Sequence, residues 1–114
     1  MTKVKITKKN NHITIVEANG HTGYGVSGED IVCASISSIL QTAVLGVLQV
    51  AGVKARFQKN DEAGYLKLEL PKNLSEKETI EVDSILNTML AGVVDLAESY
   101  SNFIELEVLD NDVY

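Results

Sequence analysis

The run from Ile31 to Val50 limits what this chain can fold into more than any other feature. Val32, Ile36, Ile39, Leu40, Ala43, Val47 and Val50 recur at helical spacing on one face, while Leu45 and Leu48 lie off it. A helix apolar nearly all round must be buried within its own protein or shared with a second subunit. Gly52 ends it, as glycine does at helix C-termini. Its most strongly apolar part, Ala43 to Val53, is interrupted by Gly46, Gln49 and Gly52 and reads as too short to span a bilayer. A chain of 114 residues can bury roughly two thirds of its unfolded surface. The rest of the sequence can therefore cover this helix, and one domain over residues 1–114 is expected.

Alternating segments supply the cover. Val4 and Ile6 alternate with Lys3, Lys5 and Thr7, and Ile13 and Ile15 resume the pattern after Lys9-Asn10-Asn11-His12. Asparagine tolerates positive φ, so residues 3 to 17 read as a hairpin. Val53 to Phe57 reads as a strand, followed by a turn at 59 to 64. Leu66, Leu68 and Leu70 then form a second strand that Pro71 closes. Ser75-Glu76-Lys77-Glu78 is a capping box opening a second helix. Val82, Ile85, Leu86, Met89, Val93, Leu96 and Ala97 make its apolar stripe, and Phe103 to Val108 is the last strand. The order β-β-α-β-β-α-β predicts an α+β domain in which a mixed or antiparallel sheet carries two helices. No repeat or linker interrupts it.

Charge removes one class of function. Ten Lys and Arg stand against 16 Asp and Glu, a net charge of −6, which is not the footprint of a nucleic-acid binder. Lys3, Lys5, Lys8 and Lys9 cluster on and beside one strand and read as its solvated face rather than a phosphate site. The lone cysteine, Cys33, excludes an intrachain disulfide, and Met-Thr-Lys-Val-Lys-Ile lacks the apolar core of a signal peptide. A soluble cytoplasmic protein with no membrane partner is expected.

Chemistry concentrates just before the long helix, where four glycines fall in the nine residues from Gly20 to Gly28. Such a segment is a loop. Glu29 and Asp30 suit the first helical turn that follows it. Gly23-x-Gly25-x-x-Gly28 fits a dinucleotide fingerprint. No acidic residue stands near position 48 to hold a ribose, however, and the chain is too short for a full doubly wound domain. His12, His21 and Cys33 are nine and twelve residues apart, which is not the spacing of a metal-ligand pair. His12 reads as an exposed turn residue, and neither a metal nor a cofactor is called for.

The third constellation is nucleophilic. Cys33 falls in about the first turn of the helix, and the loop can fold His21 back over it. With Asp30 as zero and about 100° per residue, Cys33 lies at roughly −60° and Ser37 at roughly −20°. All three then share one stripe. Asp30 is placed to orient an imidazole as a third triad member does, and backbone amides at the helix start are the natural oxyanion donors. The plainer alternative is that Cys33 is a small buried hydrophobe.

Gly20-His21-Thr22, followed by Gly28-x-Asp30-Ile31-Val32-Cys33-Ala34-Ser35-Ile36-Ser37, resembles the ribosomal-processing cysteine protease family, often called Prp. The family pattern is Gly-His-Ala, a glycine-rich loop, then Gly-x-Asp-Ile-Val-Cys-Ala-Ala-Val-Ser. Thr22, Ser35 and Ile36 depart from it by small or isosteric changes.

The resemblance implies a homodimeric cytoplasmic endopeptidase. Such an enzyme removes the N-terminal extension of a large-subunit ribosomal protein, the twenty-seventh, cutting between an aromatic and a small residue. By position, Cys33 would be the nucleophile and His21 the general base and acid, with Asp30 and Ser37 in supporting roles. The loop residues Gly20, Thr22, Gly23, Tyr24, Gly25, Val26 and Gly28 would close over the substrate, and Tyr24 and Val26 could line an apolar pocket. The competing expectation is a non-catalytic ribosome-assembly or peptide-binding dimer module, in which Cys33 packs and does not react.

Overall fold

The computed structural model describes residues 1–20 and 27–111, and within the helix that opens at Ser27 it describes side chains from residue 31 onward. The chain runs β1 (Thr2–Lys9), β2 (His12–Asn19), α1 (Ser27–Leu45), a π-helical turn (Gly46–Val50), β3 (Arg56–Asn60), β4 (Tyr65–Glu69), α2 (Glu76–Ser99) and β5 (Ile104–Asp110). The expected element order and α+β class hold. One sheet is ordered β3-β4-β2-β1-β5. It is mixed, because β1 pairs with β5 in parallel and every other pairing is antiparallel. This is not the parallel sheet a dinucleotide fingerprint requires.

The β1–β2 hairpin turns on Asn10 and Asn11, both at positive φ (52° and 67°), the conformation that matches the right-handed twist of the strands. Alternation then sends Val4, Ile6, Val16, Ala18, Leu66 and Leu68 to the helix-covered face. From α1 come Val32, Ile36, Leu40, Ala43 and Val44, with Val47 from the π turn and Val82, Leu86, Met89 and Val93 from α2. The two helical stripes read from the sequence thus meet over one side of the sheet.

The other face is charged and its charges are matched. Lys5 stands in register with Glu17 on one side and Glu107 on the other, Lys67 with Glu17, and Arg56 with Glu69. Lys3 pairs with Glu105 at 3.5 Å. Lys3 and Lys5 therefore belong to a ladder of alternating sign on a solvated strand face, whereas Lys8, opposite the buried Ile13, lies at the end of the helix-covered side.

Several boundaries differ from expectation, each for a physical reason. Val50 is 79% exposed rather than part of the buried stripe. The helix widens to π geometry after Leu45, with the Ala51 amide bonding Gly46 O at 2.9 Å, so the stripe loses its phase. Gly52 does close the helix, at φ +67°. Val53 is buried but is not strand: its amide bonds Val47 O at 3.0 Å, and β3 begins only at Arg56. Apolarity there marks a core plug beneath the helix end. Phe103 likewise precedes β5, which runs on to Asp110.

The bilayer expectation also changes. Ile31–Val50 as a whole has a mean hydropathy of 2.0 and is long and apolar enough to cross a membrane by length and composition. In this fold it is the core helix, laid over the sheet through Val32, Ile36, Leu40, Ala43, Val44 and Val47.

Candidate active site

Cys33 lines a cleft of about 350 Å³ at one end of the sheet. The floor is Thr2 where β1 starts, Ala18 and Gly20 where β2 ends, and Tyr65 and Leu66 where β4 starts. One wall is α1, through Cys33, Ala34, Ile36, Ser37, Leu40 and Gln41; the other is the β3–β4 connection, through Lys59, Asn60, Asp61 and Gly64. Cys33 is partly buried, so its thiol is neither locked in the core nor fully in water. Reading it as a fully buried packing residue does not fit.

The structure brings Cys33 and Ser37 together on this wall, one helical turn apart, as the angular reckoning required. Asp30 lies on α1 one turn before Cys33. His21, Thr22, Gly23, Tyr24, Gly25 and Val26 lie outside the described residues, as do the side chains of Ser27 to Asp30. Gly20 is described, and it is tightly held at φ +116°, with its carbonyl accepting a hydrogen bond from Thr2 Oγ1 at 3.4 Å. The residue before His21 is thereby fastened to the start of β1.

One expectation needs correction. Cys33 is not in the first turn of α1, which begins at Ser27. Six residues at about 1.5 Å each put it about 9 Å along the axis from that end. The free amide groups of a helix belong to its first turn, so they lie about 4.5 to 9 Å before Cys33 along the axis.

Sequence reasoning missed the far wall. Lys59 Nζ donates to Gln41 Oε1 at 2.9 Å, and Gln41 Nε2 donates to Ser37 Oγ at 2.6 Å. Lys59 also meets Asp61 Oδ1 at 3.1 Å. Tyr65 borders the cleft where β4 starts, but its phenol donates to Glu17 Oε2 at 2.9 Å on the open face of the sheet. That hydrogen bond to a carboxylate, helped by partial desolvation and the Glu17 charge, raises the Tyr65 phenol above its ordinary value of 10.0. Gln41, Lys59 and Tyr65 come from three elements far apart in sequence, and no local motif announces them.

His12 is exposed beside the turn, as its position suggested, and also makes a contact the sequence did not announce. It opens β2, and its Nδ1 donates to Asp83 Oδ2 on α2 at 2.7 Å, tying the hairpin tip to the helix. No group of three or more His, Cys, Asp or Glu able to hold a metal is found among the described residues. A second groove of about 720 Å³ runs between α1 and α2, past Ile39, Ala43, Ile85 and Met89, and contains none of the candidate site residues.

A mixed five-stranded sheet bearing two helices, with an accessible thiol on the wall of an end cleft, defines a small α+β domain equipped for thiol chemistry. Residues 1–105 match the family described as cysteine protease Prp, and the chain belongs to that family. The ribosomal processing cysteine protease Prp of Bacillus subtilis is 23% identical over 86 residues, covering 75% of this chain and 77% of that one. A crystal structure from Streptococcus mutans superposes with a TM-score of 0.87 at 26% identity, covering 97% of this chain and 96% of the other. The Staphylococcus aureus ribosomal processing protease Prp, crystallised with a substrate peptide, gives a TM-score of 0.82 at 27% identity, covering 95% and 99%.

Proposed function

We propose that this protein is a cytoplasmic cysteine endopeptidase that removes the N-terminal extension of a large-subunit ribosomal protein, the twenty-seventh, cutting between an aromatic and a small residue. The observation that carries the reading is the position of Cys33: a partly buried thiol on a peptide-sized cleft, in a chain that matches the protease family from residue 1 to 105. The substrate peptide held by the staphylococcal relative supports a peptide as the occupant.

In this reading Cys33 Sγ, as thiolate, attacks the scissile carbonyl carbon, and the carbonyl electron pair moves onto oxygen. His21 then gives its proton to the leaving amine as the C–N bond breaks, leaving an acyl-enzyme. Water, deprotonated by His21, attacks the thioester and returns the thiol. Asp30, one turn before Cys33 on α1, orients His21. The glycine-containing loop from Gly20 to Gly28, with Thr22, Gly23, Tyr24, Gly25 and Val26, closes over the bound peptide and excludes water. Neither a cofactor nor a nucleic acid takes part.

The working form is a homodimer. Ile31, Leu45 and Val50 of the long helical segment are exposed in the single chain at 67%, 51% and 79%, and apolar side chains left on a core helix suit a subunit contact.

The experiment is cleavage of the ribosomal protein, extension included, by the purified chain, read by mass spectrometry. One cut between an aromatic and a small residue is expected. Cys33→Ala and His21→Ala should each abolish it while leaving the circular dichroism spectrum unchanged. Cleavage that survives Cys33→Ala would overturn the assignment. A chain that binds the extension without cutting it would favour the peptide-binding module instead.

A further inference from the structure

The cleft wall carries a hydrogen-bond chain whose direction is fixed by its charged end. Lys59 lies opposite Leu66 in the β3–β4 register, on the helix-covered side of the edge strand, and reaches across to α1. An ammonium group has three donors and no acceptor. The Gln41 carboxamide must therefore turn its oxygen to Lys59 and its NH₂ to Ser37, and it does so at 2.9 Å and 2.6 Å. Ser37 Oγ is an acceptor toward Gln41, so its own proton must point elsewhere.

A helical hydroxyl can spend that proton on the carbonyl four residues back or turn it outward. Ser35, Thr79 and Thr88 bond back in this way, to Ile31, Ser75 and Ser84, at 2.9, 2.9 and 2.6 Å. Ser37 makes no such bond among the described residues, and it lines the same cleft as Cys33. Its proton is left for the cleft.

Attack by a thiolate places negative charge on the substrate carbonyl oxygen, and that charge needs donors. The amide of Cys33 lies inside α1, where helical bonding consumes it, and the free amides of the first turn lie about 4.5 to 9 Å back along the axis. A side-chain donor on the same helix wall as Cys33 can stabilise this charge from the other side. We propose that the Ser37 hydroxyl is an oxyanion donor for Cys33 chemistry, and that Gln41 and Lys59 are positioning residues that hold its proton toward the cleft. The inference rests on the protease reading above. As the Sγ–C bond forms and the carbonyl pair moves to oxygen, Ser37 donates a hydrogen bond and keeps its proton. Collapse of the tetrahedral species breaks the C–N bond, with His21 protonating the amine. No proton travels along the Lys59–Gln41–Ser37 chain.

Gln41→Glu is the informative variant. It keeps the side-chain shape and the Lys59 contact but offers Ser37 only acceptor oxygens, so the hydroxyl turns away from the cleft. Steady-state cleavage should show kcat about 100-fold lower, the range for losing one oxyanion donor, with KM and Tm close to wild type. Ser37→Ala should lose about as much, the Ser37→Ala/Gln41→Glu pair no more, and Lys59→Arg should retain most of the rate. A Gln41→Glu enzyme with wild-type kcat, or one whose loss falls on KM or Tm, overturns the assignment. The protease reading is checked separately with a peptide aldehyde, whose thiol adduct carries the same oxyanion. If the wild type neither cuts the peptide nor binds the aldehyde, that reading falls and takes the assignment of Ser37 with it. If the wild type cuts and Gln41→Glu cuts equally well, the hydrogen-bond chain alone is discarded.

Discussion

Gly20 and Gly52 both hold positive φ, at +116° and +67°, yet their surroundings set different costs for a side chain. A Cβ on Gly20 would lie 2.3 Å from the main-chain oxygen of Met1, whereas one on Gly52 would meet nothing within 4 Å. Gly52→Ala therefore carries only backbone strain, about 1 kcal/mol. Gly20→Ala adds a clash with backbone that cannot swing aside, and about 2–3 kcal/mol in total is expected. Thermal denaturation should place Gly20→Ala well below Gly52→Ala, and equal Tm values would contradict the close packing at Gly20. Because Gly20 precedes His21, the same variant should lose cleavage beyond its loss of stability. Cys33 was legible at this scale because the block that carries the family likeness is local, Gly28 to Ser37 in one stretch. Gln41 and Lys59 were not, because their roles arise from an 18-residue separation that only the folded chain closes.

At the scale of elements, each helix is set by a different device. At α2, Ser75 Oγ accepts from the Glu78 amide at 3.1 Å and Glu78 Oε1 accepts from the Ser75 amide at 2.9 Å, the reciprocal box the sequence announced. Ser75→Ala should cost about 1 kcal/mol, seen as a shifted denaturant midpoint with unchanged slope. Since α2 touches the cleft nowhere, kcat should hold at temperatures below the transition. A loss of kcat there would show that α2 transmits to the site. Amphipathic stripes and capping residues carry their geometry in local spacing, which is why both helices, the hairpin turn and the order of elements along the chain could be read in advance. The start of β3 could not. Val53 and Ala55 look like strand residues, but they plug the end of α1, and the choice between plug and strand depends on what packs beneath them. The π turn is hidden for the same reason. A Cβ on Gly46 would come within 3.1 Å of Ile85 on α2, so the place where the helix widens is also a place where two helices meet.

Taken whole, the molecule is acidic, with a net charge of −6, while its open sheet face alternates in sign and so contributes little net field. The excess negative charge lies elsewhere, including Glu76, Glu78, Glu81, Asp83, Asp95 and Glu98 along α2 and its start. Under the proposed function the substrate is a basic ribosomal protein, and opposite net charges draw two molecules together over distances set by ionic screening. That attraction acts on encounter and not on the bond-breaking step. Raising salt from about 0.01 M to about 1 M shortens the screening length from about 30 Å to about 3 Å. Under the proposed function, kcat/KM for the full ribosomal substrate should fall by up to about tenfold over that range, while kcat at saturation stays level. An uncharged peptide spanning the same cleavage site should show no such fall, because only the long-range term has been removed. If both substrates respond alike to salt, the effect lies within the cleft, and the Lys59–Asp61 ion pair at its rim becomes the place to look.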